Sequence, residues 1–108
     1  DEALAYLQAR GLRLLQRNYR TPGRGGGEID LIMQDREGTL VFVEVRQRSR
    51  SDHGGAAASI GFQKQRRILF AAQHYILRLS RLPPMRFDVV TIEAAGPQWL
   101  QAAFDAGG

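Results

Sequence analysis

The sequence predicts a single α/β domain, a mixed sheet flanked by helices in the order α-β-β-β-α-β. Three observations carry this expectation. A length of 108 residues fits one domain. Two apolar stretches of strand character, 28–34 and 39–46, are separated by Asp35-Arg36-Glu37-Gly38. A long apolar stripe at helical spacing occupies 60–79. With 44% hydrophobic and 24% charged residues, the chain has enough apolar side chains for one sheet-and-helix core, which argues against disorder.

Residues 1–11 read as a helix, because Ala3, Leu4 and Leu7 recur at roughly helical spacing and Gly11 is a natural C-terminal stop. The chain opens inside this pattern without Met, so a few N-terminal residues of the full protein are expected to precede it. Residues 12–20 mix apolar and basic side chains, with Leu12 and Leu14 on one face and Arg13, Leu15 and Arg17 on the other, as in an edge strand. Residues 21–27, Thr-Pro-Gly-Arg-Gly-Gly-Gly, form a loop without the Gly-Lys-Ser/Thr ending of a P-loop or the G-x-G-x-x-G spacing of a dinucleotide site. The two clearest strands follow, then a polar, irregular stretch over 48–58. Ile68, Ala72, Tyr75, Ile76 and Leu79 mark the long helix, Pro83-Pro84 stops it, and residues 86–93 form another strand before a short tail around Trp99-Leu100.

Composition excludes several chemistries. With no Cys and only His53 and His74, there is no disulfide framework, no thiolate metal site and no basis for a zinc cluster. No Ser-His-Asp or Cys-His arrangement can be assembled. The longest apolar runs are far short of the roughly 20 residues a membrane-spanning helix needs, so no membrane partner is expected and the cytoplasm is the default compartment. The net charge of +4, with fourteen of fifteen basic residues being Arg and Lys64 the single Lys, points to a polyanion such as nucleic acid. A GC-rich coding bias produces the same composition, so charge alone does not decide.

Register in the hairpin decides whether its acids meet. A three-residue loop Arg36-Glu37-Gly38, with Gly38 in the left-handed conformation, pairs Asp35 with Thr39. Counting back sets Asp30 opposite Glu44 and Glu28 opposite Arg46, whereas a four-residue loop mixes acids with the apolar face of Val41, Val43 and Val45. Two carboxylates about 5 Å apart repel by roughly 3 kcal/mol at an effective dielectric of 20. Two arrangements offset that repulsion. One is a divalent cation such as Mg²⁺, which takes one or two carboxylates and keeps several waters. The other is a salt-bridge cluster in which Arg46 and a neighbouring Arg neutralise Glu28, Asp30 and Glu44.

The motifs Gly27-Glu28-Ile29-Asp30-Leu31-Ile32, Val41-Phe42-Val43-Glu44-Val45-Arg46, Lys64-Gln65-Arg66-Arg67 and Arg86-Phe87-Asp88-Val89-Val90 resemble, in this order, the signatures of the YraN family. Glu2 and Ala5, and Arg17-Asn18-Tyr19-Arg20, match it as well. This family of bacterial proteins of uncharacterised function is similar to archaeal Holliday-junction resolvases of the PD-(D/E)xK nuclease superfamily. The resemblance covers nearly the whole chain. It implies a restriction-endonuclease-like core over residues 1–108 and a Mg²⁺- or Mn²⁺-dependent nuclease acting on DNA, branched DNA included. Asp30 and Glu44 then bind the metal, the Val45 carbonyl adds a ligand, and Glu2 supplies the additional acid of the resolvase-like branch, with Glu28 as a supplement.

One residue departs from that pattern. The superfamily motif ends in Lys, where this chain has Arg46, which stays protonated and acts only as a donor and a charge. Weak catalysis, or a nucleic-acid-binding module that has lost turnover, is the alternative expectation. The solitary Lys64 on the long helix is the one lysine that another element can bring to the site. Lys64, Arg67, His74 and Arg78 share a helical stripe that could follow a phosphate backbone or be an ordinary solvent face. Arg48, Arg50 and His53, after the acidic strand, could clamp a substrate phosphate. Asp88, between apolar neighbours, reads as structural, and a homodimer remains open.

Overall fold

The computed structural model describes residues 1–47 and 60–105. Helix α1 (Glu2–Ala9) is followed by strands β1 (Arg13–Arg20), β2 (Glu28–Gln34) and β3 (Leu40–Gln47), helix α2 (Phe62–Ile76), and strands β4 (Met85–Glu93) and β5 (Gly96–Phe104). The expected α-β-β-β-α-β order is therefore present, and the tail around Trp99 is a fifth strand.

The sheet runs β1-β2-β3-β4-β5 in space. All neighbouring pairs are antiparallel except β3 and β4, which are parallel and joined through α2. A parallel pair cannot be closed by a tight turn, so this crossover is what carries α2 across one face of the sheet. β1 is an edge strand, as its mixed apolar and basic sequence predicts.

Two apolar layers hold the helices. On one face, Ala3 and Leu7 of α1 pack with Leu12, Leu31, Met33, Val41, Val43 and Val90. On the other, Ile68, Ala71, Ala72 and Tyr75 of α2 pack with Tyr19, Ile29, Ile32, Leu40, Phe42 and Phe87. Phe42 lies stacked on Phe87 at 5.3 Å between ring centroids and meets Tyr75 edge-on at 6.2 Å. Helix α1 starts where the Asp1 carboxylate accepts hydrogen bonds from the Ala3 and Leu4 N–H groups, and Gly11 at φ 97° turns the chain into β1.

The hairpin forms as its turn chemistry dictates. The Asp35 N–H donates to the Thr39 carbonyl at 3.0 Å, Gly38 adopts φ 91°, and the ladder pairs Gln34 with Leu40 and Leu31 with Val43. Strict alternation along β2 fails at one place. Ile29 lies in the α2 layer with Ile32, although Leu31 and Met33 lie in the α1 layer. The break falls at Asp30, beyond the last β2–β3 pair.

Strand β5 is anchored by a buried carboxylate. Asp88 is fully buried and accepts from the Trp99 indole N–H and the Ala102 N–H, both at 2.9 Å, and from Arg86 at 3.1 Å. The structural reading of Asp88 holds. Trp99 packs edge-on against Tyr6 of α1, at 6.5 Å. Among the described residues, no helix is long and apolar enough to cross a membrane.

Candidate functional site

Asp30 and Glu44 come together on the α2 face of the sheet, as the register requires. Past the end of the ladder, the Val45 N–H donates to Asp30 Oδ2 at 2.8 Å, which fixes the carboxylate against β3. Glu44 alternates with Phe42 and Leu40 and so points toward α2, where it is only 5% exposed.

Helix α2 contributes the third member. Lys64 Nζ lies 3.6 Å from Glu44 Oε2 and 4.0 Å from Glu28 Oε1, while Arg46 approaches the same Glu44 oxygen at 3.9 Å. Gly27 brings the helix this close. A Cβ at Gly27 would overlap the Arg67 carbonyl oxygen and stand 3.0 Å from the Ala71 nitrogen, so backbone packs directly on backbone there. Arg67 Nε donates to the Gly26 carbonyl at 3.4 Å, and the glycine loop is closed by Thr21, whose Oγ1 accepts from the Gly27 N–H at 2.8 Å. Lys64 sits one turn before Arg67, and this docking aims it along the end of β2.

The electrostatics are unbalanced. Burial, and after it the adjacent Asp30 charge, push the Glu44 carboxyl up to about 7 against the opposing pull of Lys64 and Arg46. Glu44 Oε1 is buried and has no hydrogen-bond partner among the described residues. An oxygen-ligated divalent cation would meet both features, neutralising the adjacent acids and using the orphaned oxygen, so the donor set fits Mg²⁺ or Mn²⁺.

Other expected members are placed elsewhere. The β2–β3 ladder ends at Leu31 and Val43, so Glu28 does not pair with Arg46; it meets Arg20 Nε at 3.2 Å and Lys64. Glu2 is exposed in the first turn of α1, the helix that packs on the opposite face of the sheet, and makes no ion pair or hydrogen bond with either acid among the described residues. No group of three His, Cys, Asp or Glu side chains gathers around one point among the described residues. Arg48, Arg50 and His53 lie outside the described residues.

The expected basic stripe is not one continuous solvent face, and α2 ends at Ile76 rather than near 79, so Arg78 lies past it. Lys64 turns to the acids, Ala71 is fully buried, His74 Nδ1 is hydrogen-bonded to the Tyr19 hydroxyl, and the Arg78 guanidinium covers the Tyr75 ring at 4.6 Å. The stripe follows the flank of α2 that meets β1 and β2, which commits most of these groups to contacts within the chain. Arg67 alone keeps both roles, bonding Gly26 while lining the surface grooves beside it. The sequence signal for the placement of Lys64 was its singularity among fourteen Arg.

Comparison with known proteins places this constellation in a lineage. The chain is 70% identical over 106 residues to a UPF0102 protein of Albidiferax ferrireducens (strain ATCC BAA-621 / DSM 15236 / T118), covering 98% of this chain and 83% of that one. It is 69% identical over 107 residues to a UPF0102 protein of Paracidovorax citrulli (strain AAC00-1), covering 99% and 79%. A third relative, from Acidovorax sp. (strain JS42), is 67% identical over 106 residues, covering 98% and 80%. The profile described as Uncharacterised protein family UPF0102 matches residues 1–92. With that profile covering most of the chain and relatives this similar along their length, the chain belongs to the UPF0102 family.

Proposed function

We propose that this protein is a metal-dependent endonuclease-like protein that hydrolyses phosphodiester bonds in DNA, branched DNA included. The observation that carries the reading is the Asp30–Glu44–Lys64 constellation. Two carboxylates from adjacent strands meet, one holds a buried oxygen with no partner among the described residues, and an ammonium from a third element stands 3.6 Å away. The resemblance to the resolvase-like branch of the PD-(D/E)xK superfamily supports the same assignment, and a cysteine-free chain suits the cytoplasm, where such a substrate resides.

Asp30 and Glu44 would hold the cation, which when bound supplies Lewis acidity toward the phosphoryl group and a lowered pKa for water. The remaining work falls to the chain's own side chains. Val45 N–H orients the Asp30 carboxylate. Lys64 brings a compact ammonium, with three donors, to the position where the scissile phosphate would develop charge. Arg46, a planar donor, approaches the same Glu44 oxygen as Lys64 and neutralises phosphate charge. Water attacks phosphorus and gives up one proton to solvent, the P–O bond to the leaving oxygen breaks, and that oxygen takes up a proton from solvent, so that protons balance.

A second reading rests on one observation. Lys64 and Arg46 both face Glu44 Oε2, so the cluster is partly self-neutralised, as in a nucleic-acid-binding module that keeps the fold with little or no turnover. Single-turnover cleavage of a labelled four-way junction and a linear duplex, with Mg²⁺, Mn²⁺ and chelator arms, separates the two. Metal-dependent cleavage lost in Asp30→Asn is expected. Binding without cleavage under every metal condition establishes the second reading.

A further inference from the structure

The outer face of α2 carries a feature that the acid site does not use. Phe62 is 69% exposed and Phe70 50% exposed, eight residues apart on one side of the helix, with Arg66 between them and its guanidinium 5.7 Å from the Phe62 ring centre. These side chains and Arg67 line a groove of about 420 Å³ against Gly25 of the glycine loop. A second groove, of about 270 Å³, shares Gly25 and Arg67 with the first, runs over the backbone of Gly26 and Gly27, and ends at Arg20 and Glu28. Glu28 is the carboxylate that meets Lys64, so the two adjoining grooves run from the rings to an ion-pair partner of the candidate cation site.

The charge of this track selects its occupant. A second copy of the chain docked ring to ring would bring the Arg66 and Arg67 of each copy against those of the other, a like-charge contact that opposes association. A polyanion meets those arginines favourably. The rings require flat apolar partners as well, and in a duplex the bases are already stacked on one another. An unpaired strand offers phosphates to the arginines and free base faces to the phenylalanines, while the side-chain-free floor of the loop lets its backbone approach closely.

We propose that the Phe62–Arg66–Phe70 face of α2 binds an unpaired nucleic-acid strand and leads it along the glycine loop to the Asp30–Glu44 site. The inference rests on the nucleic-acid reading above but not on turnover. Fluorescence anisotropy of the full chain in chelator, with labelled oligo(dT) and a blunt hairpin duplex, reads it. Paired Phe62→Leu and Phe70→Leu substitutions remove the flat faces while keeping apolar volume, and are expected to weaken oligo(dT) binding by about 10-fold per ring, with the duplex changed less than about 2-fold. Arg66→Ala should weaken oligo(dT) and reduce its salt dependence.

Equal losses on both nucleic acids, or none on either, overturn the proposal. So does sedimentation that finds a wild-type dimer dissociated by the paired substitutions, which assigns the face to a second copy. Ring-dependent strand binding without metal-dependent cleavage refutes the nuclease reading alone. Cleavage with ring-independent binding refutes this inference alone.

Discussion

Replacing Glu44 with Gln should stabilise the metal-free protein at and above neutral pH. In the wild type this carboxyl is 5% exposed, and its pKa is raised from 4.5 to about 7 by burial first and the Asp30 charge second. Between those values the folded chain retains a proton that the unfolded chain has released. Unfolding free energy therefore falls as pH rises, with the contribution intact below 4.5 and lost above about 7. A rise of this size corresponds to about 3 kcal/mol. E44Q has no such proton, so its stability relative to wild type should grow by about 3 kcal/mol between pH 4.5 and 8. Urea unfolding in chelator at a series of pH values measures this directly. Parallel stability profiles for the two proteins refute the assignment of the strain to Glu44. Saturating Mg²⁺ should then stabilise the wild type above pH 7 and E44Q by less, since a ligand of the folded state raises stability in proportion to its affinity.

Gly27→Ala should destabilise the fold by about 1–3 kcal/mol in urea, because the new methyl group meets the Arg67 carbonyl and forces α2 outward. Lys64→Ala should reduce single-turnover cleavage at least about 100-fold, the usual effect of removing a charge-stabilising donor, whereas Arg46→Lys should change it far less because Lys64 already supplies the ammonium. A large gain in Arg46→Lys would place the lysine-dependent function on β3 instead. Asp88→Ala should lower unfolding free energy by about 3 kcal/mol or more, since the Trp99 and Ala102 N–H groups lose their acceptor and Arg86 keeps only Asp35 among the described residues, while cation binding by the protein that remains folded is retained.

The part of the site legible in the sequence is the part fixed by local geometry. Asp35, Gly38 and Thr39 specify the hairpin turn, the turn specifies register, and register brings Asp30 to Glu44. What escaped depends on contacts between distant segments. The alternation breaks at Ile29, where β2 has left its ladder with β3, the Asp30 carboxylate takes the Val45 N–H and the facing Asn18 of β1 adopts φ 51°, which no period-two pattern anticipates. Strand β5 has little apolar alternation in Pro97-Gln98-Trp99-Leu100-Gln101-Ala102-Ala103, and its path follows the two N–H groups that Asp88 captures. The position of Lys64 follows from the close approach of Arg67 to Gly27, a backbone contact between elements 40 residues apart. Glu2 illustrates the converse. Its spacing matches the resolvase-like motif, yet α1 packs against the opposite face of the sheet.

Calorimetric titration of Mn²⁺ into the chelator-treated protein at pH 7.5, beside Asp30→Asn and E44Q, tests the cation site most directly. A site built on these two carboxylates predicts one saturable heat in the wild type at submillimolar to millimolar metal, weakened at least about 10-fold in each variant, as loss of one of its two anionic ligands requires. Equal affinity in all three proteins, or no saturable heat in the wild type at millimolar Mn²⁺, contradicts it and leaves Glu28, Asp30, Glu44, Arg46 and Lys64 as a salt-bridge cluster.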